Sequence, residues 1–275
     1  MELTPRGKAL SSILFALHDK PERVPALLSS YTMVEPRDAA ILFGEVWTNS
    51  ESLFENRPAL ETLIHFVRET NTASMMMKSP ERERLKRLKA KKTVTLFRGA
   101  GKHNIEGFSW TVNRKAADFF AVRNGLDGYP IVVKADFLAD DLVAYLSGRS
   151  EFEVIVDLAS PTAIEAIERG ERIAMPYQKV SAGALLAWKV QAFGDRALFG
   201  DDHERQRISA MVMFAKRNGT PLADIQDQWN RAIAMLDEFP GAFAEKRAEM
   251  GARIAITQEA YAMELPEAWS SVQAG

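Results

Sequence analysis

Apolar positions recur every three or four residues at both ends of the chain and every second residue in its middle, which predicts helices flanking a sheet. Helices are expected over Ala9–His18, Glu22–Ser30, Glu35–Thr48 and Pro58–Glu69. In the third, Ala40, Ile41, Phe43, Val46 and Trp47 turn toward a core. In the fourth, Leu60, Leu63, Ile64 and Val67 do the same. Pro21, Pro36 and Pro58 fall at or near helix starts, where a missing N–H is tolerated. Pro80–Lys92 reads as a charged helix. Between them, Met75-Met76-Met77 reads as gap-filling packing, because a thioether adapts to irregular space.

The middle of the chain changes period. Thr93–Gly99, Phe108–Thr111, Pro130–Asp136, Leu142–Tyr145 and Glu151–Leu158 are expected strands. A helix from Arg114 to Val122, capped by Asn113, turns Ala117, Phe119 and Phe120 inward. Another begins at Pro161-Thr162 and ends near Gly170. Arg172–Ala174 and Tyr177–Val180 read as short strands, and Leu185–Phe193 as a strand or short helix. Helices return over Asp201–Arg217, Pro221–Glu238 and Gly241–Met263, broken at Gly219-Thr220-Pro221 and Pro240-Gly241. Three consecutive helices with short joints suggest a bundle. The fold class is therefore α+β, with a helical region 1–92, a core 93–195 and a helical region 196–275.

Composition narrows the chemistry. The net charge of −2 gives no global basic field for nucleic acid. The chain has no cysteine, which removes disulfides, thiol catalysis and cysteine-ligated zinc. Its four histidines, His18, His65, His103 and His203, lack metal-ligand spacing, so no metal is expected. No apolar run approaches the roughly 20 residues of a membrane span. Ala9–Leu17 lacks a cleavage site and runs into His18-Asp19-Lys20, so it reads as a helix and the protein as cytoplasmic, with no membrane partner. Seven basic residues oppose two acidic ones in Pro80–Lys92, a solvated face or a patch for a dinucleotide phosphate or acidic partner.

Candidate chemistry lies on the strands. On Glu151–Leu158, alternation sends Glu151, Glu153, Ile155 and Asp157 one way and Phe152, Val154, Val156 and Leu158 the other. Two carboxylates then sit roughly 6–7 Å apart on one face, an arrangement suited to chemistry at a sugar carbon. The alternative is a strand with one wet face. Arg98 ends its strand, where a planar fork can hold a phosphate or pair with a carboxylate. Gly99 lets a ligand approach the backbone. Ser109 and Thr111 share one side of their strand, and Trp110 takes the other.

The order strand-Arg98-Gly99, then Ser109-Trp110-Thr111 before a helix, then Glu151-Phe152-Glu153 opening a strand, resembles the arginine–serine–glutamate class of ADP-ribosyltransferases. That class includes clostridial-type actin-modifying toxins and phage enzymes. The resemblance spans Thr93–Leu158 and implies a split antiparallel sheet and NAD as substrate. It implies that Arg98 holds the NAD phosphates and that Gly99 offers backbone to the nicotinamide amide. Ser109 would orient the catalytic glutamate, with Thr111 supporting the site. Glu153 would bond the nicotinamide ribose and Glu151 would engage the acceptor. Trp110 and Thr111 depart from the family's Ser-Thr-Ser, although both outward hydroxyls survive. Phe119 and Phe120 are candidates for nicotinamide stacking or, as helix residues, for the core. The implied activity is mono-ADP-ribosyl transfer to a macromolecule, expected to be a protein arginine because position 151 is glutamate. A nucleic-acid acceptor is also open. NAD hydrolysis, or a non-catalytic binding or phage structural role in which Arg98 and the glutamates merely pair, are the other readings.

Overall fold

The structure, a computed structural model, describes residues 2–50, 53–101, 104–125, 129–148, 151–175 and 195–264. The first helix, α1 (Pro5–Ala16), starts four residues before the expected Ala9. Thr4 accepts a hydrogen bond from the Gly7 N–H and Pro5 occupies the first turn, so a side-chain cap rather than apolar period sets this boundary. α2 (Arg23–Ser30), α3 (Pro36–Asn49), α4 (Arg57–Glu69) and α5 (Ser79–Lys89) follow close to expectation. Their apolar stripes meet in one cluster, in which Leu10, Leu27, Phe43, Trp47, Leu60 and Leu63 are all buried. Met76 and Met77 fill this core, and Met77 Sδ accepts the Tyr145 N–H at 3.2 Å.

The sheet contains β1 (Thr93–Ala100), β2 (Ser109–Thr111), β3 (Ile131–Leu138), β4 (Leu142–Leu146), β5 (Glu153–Val156) and β6 (Glu171–Ala174). It is antiparallel, in the order β4-β5-β2-β1-β3-β6. The described strands make one continuous sheet where a split one is expected, but the division is nearly present. β1 pairs with β3 over eight residues and with β2 through the single pair Phe97↔Thr111. The expected elements at 177–180 and 185–193 lie outside the described residues.

α6 (Arg114–Asn124) lies on β1 through Ala117 and Ala121, one helical turn apart and both buried. Phe119 corrects the sequence reading. Two positions from Ala117 it has rotated about 200° around the helix, and the residue is 63% exposed. α7 (Pro161–Glu168) leads into β6. The chain ends in α8 (Asp195–Arg217, broken at Gly200), α9 (Leu222–Asp237) and α10 (Ala244–Ala262). Gly219 and Gly241, at φ +75° and +87°, make the two joints, a backbone state only glycine adopts freely. Among the described residues no helix is long and apolar enough to cross a membrane.

Buried Lys246 of α10 ties this end to the start of the chain, bonding Glu22 at 2.8 Å and Glu249 at 2.9 Å. His18 is buried beside them, Nδ1 on the Ile13 carbonyl at 3.1 Å and its ring against Phe243. Burial pulls its pKa below the ordinary 6.5; the Ile13 carbonyl opposes that shift and Lys246 adds to it. As pH falls through 6.5 the unfolded chain therefore protonates first. Stability present above that pH is lost below it, until the folded-state value is passed. Thermal melts of the parent should show this loss between pH 7 and 5. His18→Gln should have a shallower decline; an unchanged slope would remove His18 as the cause.

Candidate functional site

The three strands that carry the sequence-predicted residues are neighbours, in the order β5-β2-β1. Register sets Thr111 opposite both Phe97 and Glu153, and Ser109 opposite Ile155. The hydroxyl level with Glu153 is therefore that of Thr111. Ser109, expected to orient the glutamate, lies two residues further along, roughly 6–7 Å.

Arg98 occupies the one-pair seam between β1 and β2. Only 8% exposed, it replaces water with backbone. Its Nε and Nη2 donate to the Asn104 carbonyl at 3.1 and 2.9 Å, and Nη1 to the Ser109 carbonyl at 2.6 Å. The guanidinium thus bridges the strands where the ladder stops and holds the Asn104 carbonyl. Gly107 makes room for it, since a Cβ there would lie 2.1 Å from Nη2. Burial pulls the Arg98 pKa down to about 10, with nearby Glu153 opposing the shift, so the group is charged at neutral pH. Trp110, on the same side of the sheet, stacks edge-on against Phe137 at 4.7 Å and donates to the Gly107 carbonyl at 2.8 Å. Trp110 is accommodated as core.

Gly99 serves packing. A Cβ there would fall 2.0 Å from the Ala117 carbonyl, so glycine is what lets α6 lie on β1. Its own carbonyl accepts from Asn124 Nδ2 at 3.1 Å.

Glu153 opens β5 and is 8% exposed. Its Oε1 accepts the Trp47 indole N–H at 2.8 Å, across 106 positions of sequence. Apolar spacing marks Trp47 only as core, so this partner was missed. Both faces of β5 are buried, which removes the reading of a strand with one wet face.

The shared strand face of Glu151 and Glu153 is also corrected. Phe152 sits at φ +52°, so strand alternation stops at Glu153 and does not reach Glu151. That state is strained for a bulky side chain, by on the order of 1–3 kcal/mol. Thr111 holds it. The Thr111 hydroxyl donates to the Glu151 carbonyl at 2.8 Å, with the Phe152 carbonyl at 3.2 Å, and accepts the Asn113 N–H at 3.0 Å. Glu151 and Phe152 are left partly exposed while Glu153 turns inward.

Arg98, Ser109, Thr111 and Glu153 are thus brought together, with Glu151 at the margin of the group. The pair Phe97↔Thr111 sends Glu153 off the sheet on the side of Phe97, and Arg98 on that of Trp110. The two charges interact across the seam, and Glu153 favours the protonated guanidinium. Among the described residues no group of three acids or histidines could hold a metal ion. Comparison with protein-family models, with curated proteins and with solved structures finds no match.

Gly107→Ala should dislodge the guanidinium and destabilise the fold by about 1–3 kcal/mol, as overpacking a tight site does. Urea denaturation measures this, and a midpoint equal to the parent's would show that the clamp tolerates a methyl group.

Proposed function

We propose that this protein is an NAD-dependent mono-ADP-ribosyltransferase of the arginine–serine–glutamate kind, with the seam of the sheet as its active site. The observation that carries the reading is the buried Glu153 carboxylate, fixed by an indole N–H and near enough to Arg98 to favour its charged form. A carboxylate held in place away from water suits the positive charge that develops on ribose as nicotinamide leaves. Arg98 suits the pyrophosphate because its guanidinium stays charged at neutral pH and its planar fork matches phosphate geometry. Nicotinamide is already a good leaving group, so alignment matters more than proton transfer. Glu151, partly exposed beside Phe152, would orient an incoming macromolecular nucleophile, with protein arginine the first candidate and nucleic acid the second. Water in place of that nucleophile gives NAD hydrolysis.

One observation favours a second reading. Arg98 is buried and bonded to backbone on both sides of the seam, which a purely structural clamp in a non-catalytic protein would also require. Labelled NAD incubated with a cell lysate and the purified protein separates the readings. Label on macromolecules supports transfer. Free ADP-ribose and nicotinamide alone indicate hydrolysis, and intact NAD supports the clamp.

The glutamates should fail differently. Glu153→Gln keeps shape and removes charge, and should lower nicotinamide release by on the order of 10²–10³-fold. Glu151→Gln should depress labelling of the acceptor while leaving NAD hydrolysis largely in place. Arg98→Lys should raise the KM for NAD, because a point charge cannot copy the fork. Nicotinamide release by Glu153→Gln at the parent's rate would return β5 to a structural role.

A further inference from the structure

We infer that Trp47 is a positioning residue for the reaction, and that the N-terminal helical region forms part of the active site. This rests on the transferase reading of Glu153. Three contacts from two helices hold Ser147, Gly148 and Glu153. Glu81, in the first turn of α5, accepts the Ser147 N–H at 2.8 Å and its hydroxyl at 2.9 Å. Thr48 of α3 closes on Gly148, where a Cβ would lie 2.5 Å from the Thr48 methyl carbon. One residue earlier on α3, Trp47 reaches the Glu153 carboxylate. Between these grips Phe152 holds its left-handed turn. Ser147, Gly148 and Glu153 are thus fixed from outside the sheet.

An indole is suited to this task. It donates and cannot accept, so it favours the ionised carboxylate over the protonated one. Trp47 is fully buried against Phe43, at 5.8 Å between ring centroids, so its N–H direction is set by packing. The carboxylate therefore keeps one oxygen engaged and its orientation fixed before substrate arrives, which is what preorganisation requires. The donor lies on a helix that packs on Met76 through Gly44, whose added Cβ would meet the Met76 carbonyl at 2.3 Å. The N-terminal core and the catalytic carboxylate thereby share one rigid support.

The test uses the full chain and three variants, Trp47→Phe, Glu153→Gln and the pair together. Trp47→Phe keeps an aromatic ring and deletes the donor. Losing a hydrogen bond to a charged group should lower kcat for nicotinamide release about 10- to 100-fold. The KM for NAD should stay near the parent's, because Arg98 is untouched. The acid limb of the kcat profile should move to higher pH, because the carboxylate loses a donor to its charged form. In the Glu153→Gln background, Trp47→Phe should cost little more activity, since the charge it served is gone. If Trp47→Phe does not fold, Glu81→Gln, which loosens the other grip on the segment, takes its place with the same expected fall in kcat at constant KM. A kcat unchanged by the folded variant, an unmoved acid limb or losses that multiply in the double variant would overturn the inference with the transferase reading intact. A parent that leaves NAD intact would overturn both.

Discussion

Burying a guanidinium removes its water, and much of this chain is arranged to replace it. Arg98 sits where the sheet has only one ladder pair, and the carbonyls of Asn104 and Ser109 take the bonds that water would otherwise make. Gly107 leaves space for the fork, and Trp110 closes the loop by donating to the Gly107 carbonyl. The sheet's two halves are joined at β1–β2 by the Phe97↔Thr111 pair and this cation together. Desolvation lowers its pKa to about 10, yet it stays charged at neutral pH and presents a fixed positive field at the seam.

The opposing carboxylate answers to a different part of the chain. Glu153 is held by a helix that precedes the sheet, through Trp47 on α3, and Glu81 on α5 holds Ser147 at the end of β4. Thr111 couples the two systems, since it pairs with both Phe97 and Glu153 and its hydroxyl holds the strained turn at Phe152. That turn separates two glutamates only two residues apart, one buried and one partly exposed.

Much of the architecture was legible because it follows from period. The stripes of α3 and α4, the alternation of β1 and β3, and the glycine joints of the C-terminal helices are local signals, and the structure follows them within a few residues. The motif order also placed Arg98, Ser109, Thr111 and Glu153 on strands that prove adjacent. What was missed depends on tertiary structure. Trp47 looks like any core aromatic until its indole N–H is seen to point at a carboxylate 106 positions away. The different burial of Glu153 and Glu151 depends on a left-handed Phe152, a state that no alternation pattern encodes. Phe119 was placed inward by its apolar character, whereas the alanines at i and i+4 set the contact face because they let α6 approach Gly99.

The central claim is that the seam between Arg98 and Glu153 holds the scissile part of NAD. It is tested most directly by a crystal structure with an NAD analogue whose nicotinamide–ribose bond cannot break. The pyrophosphate should lie within hydrogen-bond distance of the Arg98 guanidinium, and a nicotinamide-ribose hydroxyl should meet the Glu153 carboxylate, itself still held by Trp47. A nucleotide bound elsewhere, with Arg98 bonded only to the carbonyls of Asn104 and Ser109, would contradict the claim and leave the cation as a clamp for the sheet.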